Sequence, residues 1–221
     1  MNIQRGSDYV GAWRFALPKP DACETNEGRW RPACELLIAA ANALTAEELL
    51  LTPFTAMLRH DARPPGTHAK RVVAEPAALP GELIAMLSDA KFGLGSLDLN
   101  GCGRVYAGDL SRRIDDVCGL RCNVADFGTS LTLWTLSDVW LPANLNAQPQ
   151  PDIAARNAPR LEAVLRRIEA LTGHRGTTED TRFAIADGYR LRNHVVGDDV
   201  LDLADLGYDA SVIADPWPQS T

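Results

Sequence analysis

Acidic side chains near the end of the chain form the most conspicuous group that could do chemistry. After Arg192 the sequence contains no Lys or Arg, whereas Asp198, Asp199, Asp202 and Asp205 follow within a short stretch. Aspartates without neighbouring cations can lie on a solvated face, cap short turns, or form a docking surface for a basic partner. They do not follow the Asp-x-Asp-x-Asp-Gly pattern of an EF-hand, which disfavours calcium binding.

A second polar group is predicted at the end of a strand, in Ser137-Asp138-Val139-Trp140. A loop rich in Pro, Asn and Gln follows at 142–151, and functional groups often lie at such a strand end. The simpler interpretation is that Ser137 and Asp138 hydrogen-bond the turn and that Trp140 belongs to the core. We take Asp138 and Trp140, together with the four C-terminal aspartates, as candidate partner-binding residues.

Motifs for other kinds of chemistry are missing from the sequence. There is no Gly-x-Ser-x-Gly nucleophile elbow and no Walker-type Gly-Lys-Ser/Thr. Cys118 and Cys122 have no second pair of ligands, which structural zinc would need. His60-Asp61 could act as an acid/base pair, but neighbours on a strand point to opposite faces. We therefore expect no metal site, no cofactor and no catalytic residues.

Composition limits the partners and the location. The chain has 221 residues, a formal net charge of −7 and five cysteines. A negative balance argues against nucleic acid and against an anionic membrane surface, because both need a basic surface. An odd number of cysteines, with no signal peptide and no apolar run of membrane-spanning length, predicts reduced thiols and a cytoplasmic location.

Hydrophobic periodicity predicts the elements of the first half. We expect, in chain order, a strand at 8–17, a helix from about Glu27 to Leu44, a short helix capped by Thr45 with Glu48, a strand at 54–58 and a helix starting near Pro80. Leu83, Ile84 and Leu87 form the apolar stripe of the last helix.

The second half is predicted to turn to strands and then to a long helix. Leu97 and Leu99 alternate with polar residues, and Asn100-Gly101 is a strong hairpin-turn signal. We expect a central strand at 130–141, a helix from Asp152 to Thr172 and short strands at 181–187 and 194–196. This order predicts an α+β fold, a central, mostly antiparallel sheet with three or four helices packed on it. The whole chain, 1–221, is expected to form one domain, with a soft division near 93–96.

Three segments carry a resemblance to other proteins: Thr135-Leu-Ser-Asp-Val-Trp-Leu-Pro, Gln148-Pro-Gln-Pro and Asn157-Ala-Pro-Arg-Leu. Across roughly 130–195 the chain resembles uncharacterised proteins of high-GC bacteria, several of which are thought to be immunity partners of secreted polymorphic toxins. The resemblance implies a protein that binds and neutralises a cognate toxin without catalysis. A toxin that acts on nucleic acid or nucleotides has a basic cleft, because its substrate is anionic, so the C-terminal aspartates predict a partner with such a cleft.

Two alternatives stay open. The first is an enzyme, a hydrolase or transferase, with a dispersed site that uses Asp138 and one of the histidines. The second is a structural or regulatory interaction module. The sequence leaves the oligomeric state open.

Overall fold

The fold is built around one antiparallel sheet, seen in a computed structural model that describes residues 9–17, 26–60, 69–88, 95–125 and 128–207. Its six strands are β1 (Gly11–Ala16), β2 (Phe54–His60), β3 (Ala69–Val73), β4 (Gly95–Ala107), β5 (Leu110–Ala125) and β6 (Gly128–Thr135), and they pair in the order β1-β6-β5-β4-β2-β3. Three helices pack against the sheet: α1 (Asn26–Ala46), α2 (Leu79–Ser88) and α3 (Pro151–Thr172). The predicted α+β class is confirmed.

Two small hairpins follow α3. The first pairs β7 (Ile185–Asp187) with β8 (Arg190–Arg192), and the second pairs β9 (Val195–Val196) with β10 (Asp199–Val200). In the described part of the chain, no helix is both long enough and apolar enough to cross a membrane.

The hydrophobic core lies on the face of the sheet that the helices cover. The register aligns Leu99, Leu120, Leu133 and Trp13 across four strands, so their side chains share that face, and all four are fully buried. Apolar residues of α1, among them Trp30, pack into the same cluster. Strand residues at alternate positions therefore supply one wall of the core and the helices supply the other.

The last helix, α3, matches its prediction closely. Leu161, Val164, Leu165 and Ile168 are buried as a stripe, while Leu171 is half exposed. Gly173 ends the helix in the left-handed conformation, with φ +67°, and its N–H donates to the carbonyl of Glu169. The helix begins one residue before the predicted Asp152, because Gln150 is the N-cap residue and Pro151 and Asp152 already lie in the first turn.

The predicted hairpin turn at Asn100-Gly101 is wrong. Strand β4 runs on to Ala107, and the turn lies at 108–109, where Ala107 pairs with Leu110. The glycine serves close packing instead, since a Cβ on Gly101 would lie 2.8 Å from Phe54 Cβ. The register shifts between Asn100 and Cys102, so the chain absorbs the irregularity as a bulge and not as a turn.

The predicted short helix after Thr45 is also wrong. The Thr45 hydroxyl donates to the carbonyl of Ala41 at 2.9 Å, so this residue lies in the last turn of α1 and does not cap a new helix. Glu48 takes a left-handed backbone, with φ +54°, and turns the chain towards β2. In α2, Met86 is buried and Ile84 is exposed, which corrects the predicted stripe of that helix.

The strand predicted at 130–141 is shorter than expected. It ends at Thr135 and lies between β1 and β5, inside the sheet but one strand from its edge. The segment 136–141 leaves the sheet and enters the loop before α3. Of the predicted division near 93–96, Gly95 and Ser96 belong to β4, and 93–94 lie outside the described residues.

Candidate functional site

The predicted acidic stretch forms a hairpin, which we call the acidic hairpin (residues 195–200). Val195 and Val196 are 55% and 66% exposed, and Asp198 and Asp199 are exposed beside them. Gly197, with φ +62°, provides the left-handed residue that its two-residue turn requires. The structure thus places two exposed valines and two aspartates on one small projection.

Hydrogen bonds hold the acidic hairpin on the body of the protein. The Leu201 N–H donates to the carbonyl of His194 and closes the base of the hairpin, whereas the Leu203 N–H donates to the carbonyl of Leu145 in the loop before α3, both at 2.9 Å. Leu203 is buried and anchors the segment that follows β10. The hairpin is therefore attached to the loop that precedes α3.

The four predicted aspartates fall into two pairs with different roles. The Asp202 N–H donates to Asp205 Oδ2 at 3.0 Å, and the Asp205 N–H donates to Asp202 Oδ1 at 2.9 Å. These two carboxylates therefore cap a turn, as the simpler interpretation allowed. Among the described residues, no cation forms an ion pair with Asp198 or Asp199.

The other two predicted partner-binding residues, Asp138 and Trp140, lie inside the fold. Both are buried, Asp138 Oδ2 accepts the Leu145 N–H at 3.0 Å, and Trp140 Nε1 donates to Thr135 Oγ1 at 2.8 Å. Their burial removes them from any partner surface and makes them scaffold residues.

The alternative acid/base site also loses its support at Asp138. Its carboxylate is buried and used by the loop, and His194 Nε2 lies 2.8 Å from the Thr181 carbonyl. The predicted His60-Asp61 pair lies outside the residues whose side chains the structure describes.

A polar cluster fixes α3 to β4. Asn157 is fully buried, accepts the Tyr106 N–H at 3.1 Å and donates to the Tyr106 carbonyl at 2.7 Å. Arg160 donates to the Arg104 carbonyl at 2.8 Å, and its guanidinium lies 4.7 Å from the centre of the Tyr106 ring. Both residues belong to the Asn157-Ala-Pro-Arg-Leu segment, which therefore has a structural role.

The same cluster restrains the left-handed Glu48. Its carboxylate accepts hydrogen bonds from the Tyr106 hydroxyl and, at 3.0 Å, from Arg104 Nε. The Tyr106 hydrogen bond is the main cause that lowers the pKa of Glu48 below its ordinary value, and the charge of Arg104 adds to it. The contacts hold a backbone conformation that non-glycine residues rarely adopt.

The face of the sheet opposite the helices is polar, and we call it the polar sheet face. One row of paired residues across the strands comprises Met57, Asp98, Arg121, Thr132 and Arg14. The neighbouring row comprises Thr55, Asn100, Gly119, Trp134 and Ala12. These residues alternate along each strand with the core residues of the other face.

An ion cluster lies at the centre of the polar sheet face. Asp98 Oδ1 accepts from Arg121 Nε at 2.8 Å, and Asp98 Oδ2 accepts from Arg121 Nη2 at 3.1 Å and lies 3.2 Å from Arg59 Nε. The Asp98 side chain is 3% exposed, against 34% for Arg121 and 56% for Arg59. The hydrogen bonds to Asp98 are the main cause that raises the pKa of Arg121, so its guanidinium stays charged.

Trp134 lies flat beside this cluster. A Cβ on Gly119 would lie 2.1 Å from Trp134 Cζ2, so the ring covers Gly119, and the Tyr9 ring stacks on it with centres 5.5 Å apart. Trp134 is 8% exposed. Its Nε1 and the Asn100 Oδ1 are buried atoms without a hydrogen-bond partner among the described residues.

The sequence analysis missed the polar sheet face. A signal was present in Leu97-Asp98-Leu99-Asn100 and Leu120-Arg121-Cys122-Asn123, where polar residues alternate with apolar ones. Alternation within one strand shows which residues share a face. Only the register between β4 and β5 shows that Asp98 meets Arg121.

The described cysteines are Cys34, Cys102, Cys118 and Cys122, and all four are free thiols. Burial raises the pKa of Cys118 and Cys122 to about 12, which makes both thiols poor nucleophiles. Within the described ranges, no group of three or more His, Cys, Asp or Glu side chains is placed to hold a metal ion.

Two surfaces can therefore act on a partner. The acidic hairpin offers carboxylates to a cationic group, and the polar sheet face offers guanidinium groups to an anion. Both arrangements suit binding more than bond-breaking chemistry, which needs an activated nucleophile or a placed acid and base. Comparison of the chain with family models, with curated proteins and with solved structures gave no match.

Proposed function

We propose that this protein is an immunity protein that binds and neutralises a cognate toxin domain without catalysis. The observation that carries the proposal is the acidic hairpin, where two exposed valines stand beside two carboxylates that no described cation neutralises. A surface that combines apolar contact with one sign of charge is typical of a recognition site.

The chemistry of the hairpin fits a partner with a basic cleft. A toxin that acts on nucleic acid or nucleotides has such a cleft, because its substrate is anionic. Asp198 and Asp199 would occupy the positions of substrate phosphates, and the overall charge of −7 would speed the encounter. Val195 and Val196 would add apolar contact. Full burial of one valine is worth about 1.5–3 kcal/mol, and each of these valines would contribute less than that because it is already partly buried.

The mounting of the hairpin supports the same role. Its hydrogen bonds to the loop before α3 fix it before the partner arrives, so less conformational entropy is lost on binding. The free, buried thiols suit a reducing compartment, and the proposal places the protein in the cytoplasm, where it would protect the cell that makes the toxin.

The test co-expresses the protein with the C-terminal domain of the protein encoded by the neighbouring upstream gene, which the proposal requires to be a large secreted toxin. The wild type should rescue growth and co-purify with the toxin domain. The double variant D198K/D199K should fold normally, but its association rate at low salt should fall by about tenfold or more and should depend less on salt.

A matched control reverses the same number of charges elsewhere. Asp109 and Glu179 are exposed and lie outside the hairpin, so D109K/E179K should change the association rate by about threefold or less. An equal effect of both double variants, or none of either, would remove the docking role of the hairpin. Failure of the wild type to rescue growth or bind would refute the immunity function itself.

A further inference from the structure

The polar sheet face carries an excess of positive charge in an acidic protein. Among the described residues, the row through Asp98 brings that carboxylate together with Arg14, Lys70 and Arg121, and the next row, through Ser96, adds Arg59. The chain as a whole has a net charge of −7. Positive charges, which are outnumbered in the chain as a whole, thus lie together on one face of the sheet, where they create a local positive potential.

Two of these cations are held in place by the same carboxylate. Asp98 is almost fully buried and contacts both Arg121 and Arg59, so one negative charge faces two positive charges. Each guanidinium has five N–H donors, and the contacts with Asp98 use only a few of them. Tyr9 also interacts with Arg121, and since the arginine side chains are 34% and 56% exposed, part of each guanidinium remains accessible to a ligand.

Unsatisfied polar atoms lie in the next row of the same face. Trp134 Nε1 is a donor without an acceptor, and Asn100 Oδ1 is an acceptor without a donor, within the described part of the chain. Both flank Gly119, whose missing side chain leaves the space that the Trp134 ring fills. Buried groups of this kind favour a ligand or water that supplies the missing partners.

We propose that the polar sheet face is a binding site for a small oxyanion that also carries a hydroxyl group, either a hydrogen phosphate or a 2-hydroxycarboxylate. Arg59 and Arg121 hold the anionic oxygens with their free N–H groups, and Asp98 keeps the two guanidinium groups in position. Trp134 Nε1 and Asn100 Oδ1 are buried in this structure, so the Trp134 ring and the Asn100 amide turn towards the ligand on binding and then supply the donor and the acceptor that an oxygen and a hydroxyl of the ligand require.

The test measures binding of inorganic phosphate and of lactate by isothermal titration calorimetry at low ionic strength and neutral pH. The wild type should bind one equivalent of at least one of the two, and the better ligand identifies the class of oxyanion. Arg59→Gln should weaken that binding about tenfold or more, because it removes one guanidinium that contacts the anion.

Arg14 provides the matched control. It lies on the same face in the row of Arg121 and is exposed, and its side chain makes no hydrogen bond or ion pair with Asp98. Arg14→Gln removes the same charge and should weaken binding by about threefold or less. Arg59→Lys, which keeps the charge but loses the planar fork, should bind more weakly than the wild type.

The outcomes distinguish a specific binding site from nonspecific electrostatic attraction of the anion. Loss of binding in Arg59→Gln with retention in Arg14→Gln supports the site, provided that circular dichroism shows native folds. Equal weakening in both variants overturns it, because the anion would then respond only to net charge. Absence of saturable binding of both phosphate and lactate to the wild type also overturns it, whatever the outcome for the toxin.

Discussion

Gly119→Ala should destabilise the protein strongly, although it adds only one methyl group. Gly119 lies inside β5, between Asn100 on β4 and Trp134 on β6. A Cβ at this position would lie 2.1 Å from Cζ2, 2.4 Å from Cε2 and 2.7 Å from Cη2 of Trp134. These distances are far below van der Waals contact, so either the indole ring must leave or the strands must move.

The expected loss of stability is set by whichever change costs less free energy, displacement of the Trp134 ring or movement of the strands. A tryptophan side chain buries about 150–250 Å², and at about 25 cal/mol per Å² complete exposure of the Trp134 ring would cost about 4–6 kcal/mol. Local strain from one extra methyl group in a packed site costs about 1–3 kcal/mol. Because the ring can keep part of its contacts, we expect a loss of about 2–4 kcal/mol in the free energy of unfolding.

The assay is urea unfolding of the variant and of a matched control. Gly81 lies in α2, and a Cβ at that position would meet no neighbouring atom within 4 Å, so Gly81→Ala should raise stability by about 0.5–1 kcal/mol through helix propensity. The same substitution thus has opposite signs at the two sites. Tryptophan emission of native Gly119→Ala should also shift to longer wavelength, because Trp134 becomes more exposed.

One result would refute the reasoning. If Gly119→Ala unfolds at the urea concentration of the wild type with the same slope, Trp134 does not cover Gly119.

Two further predictions concern α3 and the Glu48 cluster. Leu165→Ala should lower the free energy of unfolding by about 2–5 kcal/mol, because Leu165 is fully buried. Leu171→Ala, at the half-exposed end of α3, should lower it by about 1 kcal/mol or less. Equal losses in urea unfolding would contradict the assigned buried stripe. Because the pKa of Glu48 is lowered in the folded protein, its contribution to stability is present above the ordinary Glu value of about 4.3 and is lost as pH falls through the lower folded value. Tyr106→Phe should therefore be less stable than the wild type at pH 7, and the difference should shrink below about pH 4; a constant difference across this range would show that the hydrogen bond does not depend on the charge of Glu48.

The long helix and the edge strand could be predicted from the sequence because local patterns determine them. In α3 the buried Leu161 and Val164 recur with the helical period, and Gly173 ends the helix with the left-handed backbone that glycine favours. In β1, within the strand predicted at 8–17, the buried Trp13 alternates with the exposed Arg14. No distant contact changes either pattern.

Local signals failed where distant contacts decided the conformation. Asn100-Gly101 resembles a two-residue turn, but Phe54 from β2 packs against Gly101 and keeps the chain in the sheet. Thr45 and Glu48 have capping-box spacing, but the Thr45 hydroxyl bonds within α1. Phe54 and Gly101 lie about fifty residues apart along the chain, and local propensity carries no information about such a contact.

The candidate site was predicted only in part. The acidic residues Asp198 and Asp199 are exposed, as a docking surface needs, but Asp202 and Asp205 cap a turn. The polar sheet face could not be assembled from sequence, because Asp98 and Arg121 meet only through the register of β4 and β5.

The buried residues of the 135–160 region position the acidic hairpin without touching a partner. Asp138 Oδ2 accepts the Leu145 N–H, and the Leu145 carbonyl accepts the Leu203 N–H, so a chain of hydrogen bonds runs from the end of β6 to the segment after β10. On the other side of the hairpin, the Asn193 side chain accepts from the Ala143 N–H and donates to its carbonyl. Both ends of residues 195–200 are thus fixed to the loop that Asp138 orders. On the proposed function, Asp138 would therefore serve recognition from the interior, by fixing where the exposed carboxylates are presented.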